Sequence, residues 1–216
     1  MRPRDKPVEE RRADILDAAE KLALERGIDG VTVDQVTSGA GISKGTFYLY
    51  FRSKDDVLDA LRDRYLAAFA ARQDEAAARA RPGDQVARVE AWVIAGLEDY
   101  VRDHRLHDVV FRHREPLRDD PEQPREPAGP SIDSLTRLLT EGVESGAFTV
   151  PDPDVTAVVL FQALHGAADH LIHAGDADLH ERVVQEIRRL CRALLGPPAR
   201  PDADGTKARE TAPRPS

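Results

Sequence analysis

The sequence predicts an all-α protein of about nine helices, and three observations carry that prediction. Ala, Leu, Arg and Glu dominate, while period-two runs of β-branched and aromatic residues are missing. Apolar residues return three and four positions apart along most of the chain. Capping residues, glycines and prolines punctuate those stretches where helix ends are expected.

A first helix is expected from about Val8 to Arg26, with Ile15, Ala18, Ala19, Leu22 and Ala23 as its apolar stripe and Gly27 as its stop. Thr32 can then accept a bond from the third helical amide while Gln35 reaches back, so a short helix starts there. Ser38-Gly39-Ala40-Gly41-Ile42 holds two glycines within three residues, which suits a tight turn. Ser43 caps a third helix through Lys44, Gly45, Thr46, Phe47, Tyr48 and Leu49, and Ser53 with Asp56 forms another capping box. A long helix follows from about Lys54 to Arg81, ended by Pro82-Gly83. Another is expected from Asp84 to about Asp103, and a shorter one around Val109, Val110 and Phe111. Five prolines among charges make the segment from Pro116 to Pro130 a loop or mobile segment. Helices resume over Ser131 to Ser145, from Asp152-Pro153-Asp154 to His173, and from about Ala177 to Leu195. The division expected is a unit of short helices at 1–53, a larger helical unit at 54–196, and a disordered tail at 197–216.

The 216 residues, 41% hydrophobic and 32% charged, are enough to bury a core. Lys and Arg number 31 against 39 Asp and Glu, a formal net charge of −8, so any contact with nucleic acid must come from a local patch. A single cysteine, Cys191, excludes a disulfide scaffold and a cysteine-ligated zinc finger. The charged, proline-bearing amino terminus does not read as a secretory signal. The apolar run Ala157 to Leu164 falls well short of the roughly 20 residues a spanning helix needs. A soluble, cytoplasmic protein with no membrane partner is therefore expected.

One window opposes the global charge. From Gln35 to Lys54 there is no acidic residue, while Lys44, Arg52 and Lys54 are positive. Ser43, Thr46, Tyr48 and Tyr50 add hydroxyls, and a helix capped at Ser43 directs first-turn amides outward; these groups hold DNA phosphates. Two short helices about a glycine-bearing turn, behind a longer one, make a helix-turn-helix whose second helix enters the major groove. Gly45 allows close backbone approach, Lys44 and Thr46 reach base edges or phosphates, and Phe47 and Phe51 suit inward anchors. Tyr48 and Tyr50 stay open between groove and core.

The run Ile42-Ser43-Lys44-Gly45-Thr46-Phe47-Tyr48-Leu49-Tyr50-Phe51-Arg52-Ser53-Lys54-Asp55-Asp56-Val57-Leu58 closely resembles the signature of the tetracycline-repressor (TetR/AcrR) family of bacterial transcription regulators. Ile15-Leu16-Asp17-Ala18-Ala19, Gly27 and Val31-Thr32-Val33-Asp34-Gln35-Val36 extend the likeness to about residues 11–61. Thr37, Gly39 and Tyr50 depart from the family's usual residues, and Tyr50 bears on a phosphate contact. The resemblance implies three amino-terminal helices for DNA and about six more for ligand binding and dimerisation. It also implies DNA contacts at Thr32, Ser43, Lys44, Gly45, Thr46, Tyr48, Tyr50 and Lys54. A homodimer on a palindromic double-stranded operator, most simply a repressor released by a small-molecule effector, follows from it; no cofactor is expected.

The carboxy-terminal half carries weaker signals. Ala157, Leu160, Phe161, Leu164, Ala168 and Leu171 form one apolar face, and Val183, Val184, Ile187, Leu190 and Leu194 another. Either belongs to a dimer seam or to the subunit core, because both uses give the same periodicity. Trp92, Gly96, Tyr100, Phe111, His113, Phe161 and His165 are the candidates for an effector pocket, being large or polar residues on apolar helices. His165, Asp169 and His173 share a helix face, but a polar stripe explains them as well, and no metal is expected. The competing class is a helical small-molecule-binding protein or enzyme. No nucleophile-base pair, phosphate-cradling loop or metal motif supports an enzyme.

Overall fold

Short oxygen-bearing side chains set most of the helix starts, and the computed structural model, which describes residues 7–112, 129–174 and 176–198, shows them in place. Thr32 Oγ1 accepts from the Gln35 amide at 3.3 Å while Gln35 Oε1 accepts from the Thr32 amide at 3.2 Å. Ser43 accepts from Thr46 N at 3.1 Å, Ser53 from Asp56 N at 3.0 Å and Asp152 from Val155 N at 3.0 Å. Caps of this kind stabilise a helix by about 1 kcal/mol each. The described residues form eight α-helices and no strand: α1 (Val8–Arg26), α2 (Val33–Ala40), α3 (Lys44–Phe47), α4 (Lys54–Ala78), α5 (Gln85–Arg112), α6 (Pro130–Glu144), α7 (Pro153–Ala174) and α8 (Ala177–Leu195).

Three boundaries differ from the sequence expectation. α3 is only four residues long, and the chain tightens after it, with Leu49 N donating to Thr46 O and Tyr50 N to Phe47 O. That turn lets both Phe47 and Phe51 reach the core, at 0% and 5% exposure. α4 ends at Ala78, ahead of a turn that closes at Gly83 with φ 85°. The two helices expected between Asp84 and Phe111 are one, bent at Asp103 (φ −103°, ψ 16°). Arg72 and Arg102 both grip the bend, pairing with Asp99 and with Asp103. His113, most of the proline-rich segment and most of the expected tail lie outside the described residues.

Two apolar cores result. The first joins Ile15, Leu16, Val36, Phe47 and Phe51 to Val57, Leu61 and Tyr65 of α4 and Val110 of α5. The second gathers Phe69 of α4, Trp92 and Leu97 of α5, Leu135 of α6, Leu160 and Leu164 of α7, and Ile187 of α8. Arg64 of α4 pairs with Asp17 and Glu20 of α1 at 2.6 Å each, and Arg105 donates to the Leu24 carbonyl at 3.2 Å.

The apolar face of α7 expected as a candidate seam is largely taken up inside the subunit, since Ala157, Leu160, Leu164, Ala168 and Leu171 are buried. Val184 and Ile187 of α8 are buried with them. A different face, carrying Val155, Val158 and Val159, is 58%, 43% and 47% exposed. α7 is apolar on two sides, and spacing alone picked out the inner one. By length and composition it is apolar enough to cross a membrane. Cys191 is fully buried in the second core, and burial, with Glu90 nearby, pushes its thiol up to about 12.

Two expected pocket residues serve packing. The Trp92 indole is buried and donates from Nε1 to Asp74 Oδ1 at 3.3 Å, tying α5 to α4. Gly96 marks the crossing of α5 over α4 and α7: a methyl there would overlap the Gln73 side-chain amide and lie 3.3 Å from Leu164 Cδ2. Gly96→Ala is expected to destabilise by on the order of 1–3 kcal/mol through overpacking, read as a lower denaturant midpoint with an unchanged m-value.

Candidate nucleic-acid interface and ligand cavity

The α2-turn-α3 head is anchored from beneath and open above. Phe47 meets Phe51 at 6.0 Å and Tyr48 edge-on at 5.3 Å between ring centroids. Around that anchor Thr32, Ser43, Lys44, Gly45 and Tyr48 are exposed, and Thr46, Tyr50 and Lys54 half-buried. All eight therefore lie on or at the edge of one head; Tyr48 turns outward, while Tyr50 rests against the first core. Ser43 Oγ and Thr46 Oγ1 lie 2.9 Å apart, so one hydroxyl holds the other in place.

Two features of the head escaped the sequence. Lys44 Nζ lies 2.6 Å from Asp34 Oδ1, and this bond holds the ammonium above its ordinary range. Asp34 stands one residue outside the acid-free window, and only the fold of the turn brings it back across. Leu49 is 83% exposed beside Tyr48, the most exposed large apolar side chain among the described residues. Its lack of apolar partners three and four positions away on a regular stripe was the signal available.

A cavity of about 310 Å³ lies between α4, the second limb of α5, α6 and α7. Phe111, Phe161 and His165 line it as expected, joined by Arg62, Tyr65, Phe69 and His107, which spacing did not single out. Tyr100 stands behind the wall, its ring 4.2 Å from His107 and 5.1 Å from His165. Trp92 and Gly96 lie elsewhere in the core, for the packing reasons above. His165 faces the Phe161 carbonyl, whereas Asp169 and His173 are exposed, so the three-residue stripe does not converge.

Burial, then the neighbouring His165, lowers the His107 imidazole from 6.5 to about 4, and burial lowers His165 as well. Burial raises the Tyr65 phenol. The Tyr65 hydroxyl is buried without a hydrogen-bond partner among the described residues, and His107 Nδ1 lies 3.7 Å from the Asp108 carboxylate, beyond hydrogen-bond reach. The cavity is thus mainly apolar and ring-lined, with the Tyr65 hydroxyl in its wall and the Arg62 guanidinium over the Phe111 ring.

Fold and head together define a helix-turn-helix DNA-binding regulator. Residues 15–61 match the family of bacterial regulatory proteins called tetR. Over 160 residues the chain is 31% identical to the HTH-type transcriptional repressor KstR2 of Mycobacterium tuberculosis, covering 71% of this chain and 76% of that one. Over 56 residues it is 46% identical to the HTH-type transcriptional regulator EthR of the same species, 26% of each chain. Among solved structures, a protein of unknown function from Rhodococcus sp. RHA1 shares the fold at TM-score 0.70 and 23% identity, over 90% of this chain and 100% of that one. The regulator FadR of Bacillus subtilis, solved with stearoyl-CoA, shares it at TM-score 0.62 and 21% identity, over 84% and 98%. The chain belongs to the tetR family of bacterial regulatory proteins.

The depressed histidine sets an acid limb. Below pH 6.5 the unfolded chain takes up a proton at His107 that the folded chain refuses until about pH 4, so stability falls as pH drops through that window. The melting temperature of His107→Phe is expected to fall less steeply over the same interval than that of the unaltered protein. Parallel curves would mean that the imidazole does not titrate as its burial requires.

Proposed function

We propose that this protein is a homodimeric, ligand-responsive repressor that sets two α3 heads into successive major grooves of a palindromic operator. The observation that carries this reading is the head itself, with Phe47 buried beneath it and Ser43, Lys44, Gly45 and Tyr48 exposed on it. Thr32, Ser43, Lys44, Gly45, Thr46, Tyr48, Tyr50 and Lys54 are its contact residues, and Leu49 joins them as an apolar contact for a thymine methyl or sugar. Repression is favoured by the relative KstR2, which bears that name. Residues 1–53 read DNA and 54–196 sense and pair, in the cytoplasm where the operator lies. Its work is binding rather than catalysis.

The dimer reading rests on α7. Its exposed valines continue into a groove between α7 and α8 bordered by Ala163, Ala167, Leu179, Val183 and Leu190. A second copy covers such a surface through a two-fold axis, with the same patch used on both subunits. Half-sites then fall about 34–36 Å apart, or a multiple of that.

Effector action is supported by the cavity's position. Tyr65 from α4 and Phe111 from α5 line it and also belong to, or pack on, the amino-terminal core. A ligand that prefers a different setting of these helices changes the separation of the two heads and lowers operator affinity.

Gel-shift titration on DNA flanking the protein's own coding region tests the whole: a salt-sensitive, sequence-preferring complex is expected, and its absence refutes the reading. Lys44→Ala is expected to weaken binding and reduce the log-affinity against log-salt slope by about one if the lysine meets phosphate. Asp34→Asn is expected to tighten binding, since it frees Lys44 and removes an anion from the head; equal affinities for all three proteins would discard the assigned face. Val159→Asp is expected to convert the dimer to a monomer in light scattering while far-ultraviolet dichroism stays helical.

A further inference from the structure

The reading head carries a close ion pair that folding does not explain. Lys44 Nζ, at the start of α3, lies 2.6 Å from Asp34 Oδ1 in the first turn of α2, and both side chains are exposed. An exposed pair contributes little to stability. The caps at Thr32 and Ser43, with Val36 and Phe47 in the core, already fix α2 and α3. The positive end of α2 favours an acid at position 34, but not its pairing with a lysine of the next helix. While the Thr32 and Ser43 hydroxyls are occupied by their caps, this pair faces outward. The surface beside it is open, since a methyl on Gly45 would meet Ser43 Oγ at 3.8 Å and nothing nearer.

The carboxylate changes what Lys44 can read. A phosphate meets the ammonium and the carboxylate together, with no net charge between them. Drawing the lysine away would leave Asp34 alone against a polyanion. A base edge in the major groove carries no such penalty. A G·C pair presents the N7 and O6 acceptors of guanine beside the N4 amino donor of cytosine. An ammonium can bridge the two acceptors while the carboxylate next to it takes the amino hydrogen, so both charges keep each other and gain a partner. An A·T pair sets the adenine amino group where the ammonium needs an acceptor.

We propose that Asp34 is a specificity-determining residue, which forms with Lys44 one reading unit for a G·C pair in each half-site: Lys44 donates to guanine N7 and O6, and Asp34 accepts from cytosine N4. The same carboxylate withholds Lys44 from phosphates and so lowers affinity for duplex of any sequence. The proposal rests on the reading of α3 as the helix that enters the groove, and it commits the lysine to a base edge instead of the backbone.

Binding sites are selected from a pool of random-sequence duplexes with the full chain and with Asp34→Ala, Asp34→Asn and Lys44→Ala, and affinities for a selected and a scrambled duplex are titrated against salt. The unaltered protein is expected to fix a G·C pair at one position of each half-site. Asp34→Ala and Lys44→Ala are each expected to relax the preference at that same position about tenfold, the discrimination of one good base contact, and to leave other positions unchanged. Asp34→Asn keeps the side chain's size and is expected to admit adenine there, because its amide both donates and accepts. Two Asp34 variants are used so that misfolding of one leaves the other to decide. On the selected duplex Lys44→Ala is expected to keep the log-affinity against log-salt slope, while on scrambled duplex both Asp34 variants steepen it by about one. A selected site lacking the G·C pair, relaxation at two different positions, or a slope reduced by about one in Lys44→Ala overturns the proposal. Uniform tightening by the Asp34 variants with every preference retained also overturns it, leaving Asp34 as a repelling anion only. If the unaltered protein selects no sequence, the operator reading falls and this one with it; a selected sequence indifferent to Asp34 removes this one alone.

Discussion

The structure depends on one helix being shared between two cores. α4, at 25 residues, spans about 37 Å at 1.5 Å per residue. Its amino-terminal half supplies Val57, Leu61 and Tyr65 to the packing beneath the DNA head, and farther along Phe69 and Ala77 enter the larger core. Neither core is complete without it. The Arg64 fork onto Asp17 and Glu20 further ties α4 to α1. Because a close-packed interior resists continuous deformation, a displacement of α4 is felt at both ends.

The bend at Asp103 gives the second such link. Beyond it, Leu106, Val109, Val110 and Phe111 pack on the amino-terminal core, while His107 and Phe111 face the cavity. Four charged side chains, Arg72, Asp99, Arg102 and Asp103, surround the bend on the larger core's side. A helix bent at one residue and clamped there is well placed to transmit a change of angle, because the clamp defines the pivot. The amount transmitted is bounded by the ligand's preference for one arrangement over the other.

Much of the fold was legible because the signals are local. Caps at Thr32, Ser43, Ser53 and Asp152, with the stop at Gly27, depend only on neighbours along the chain. The inward placing of Phe47 and Phe51 also followed from spacing. The features that were not legible are those made by distant segments meeting. Asp34 reaches Lys44 only because α3 folds back on α2. The cavity needed α4 and α5 to converge on α7, so Tyr65 and His107 carried no mark of their own, while Trp92 and Gly96 looked like lining and proved to be packing. On α7, spacing picked out the side that turned out to be buried, and the exposed side carrying Val155, Val158 and Val159 went unmarked beside it.

The sealed thiol of Cys191 has a practical corollary. It is the single sulfhydryl in the chain and is inaccessible and strongly protonated. A reporter cysteine placed on the reading head would react with maleimide dyes or nitroxides without first stripping the native one. Spectroscopic rulers between two such tags would then test, directly in solution, the two-headed assembly proposed above.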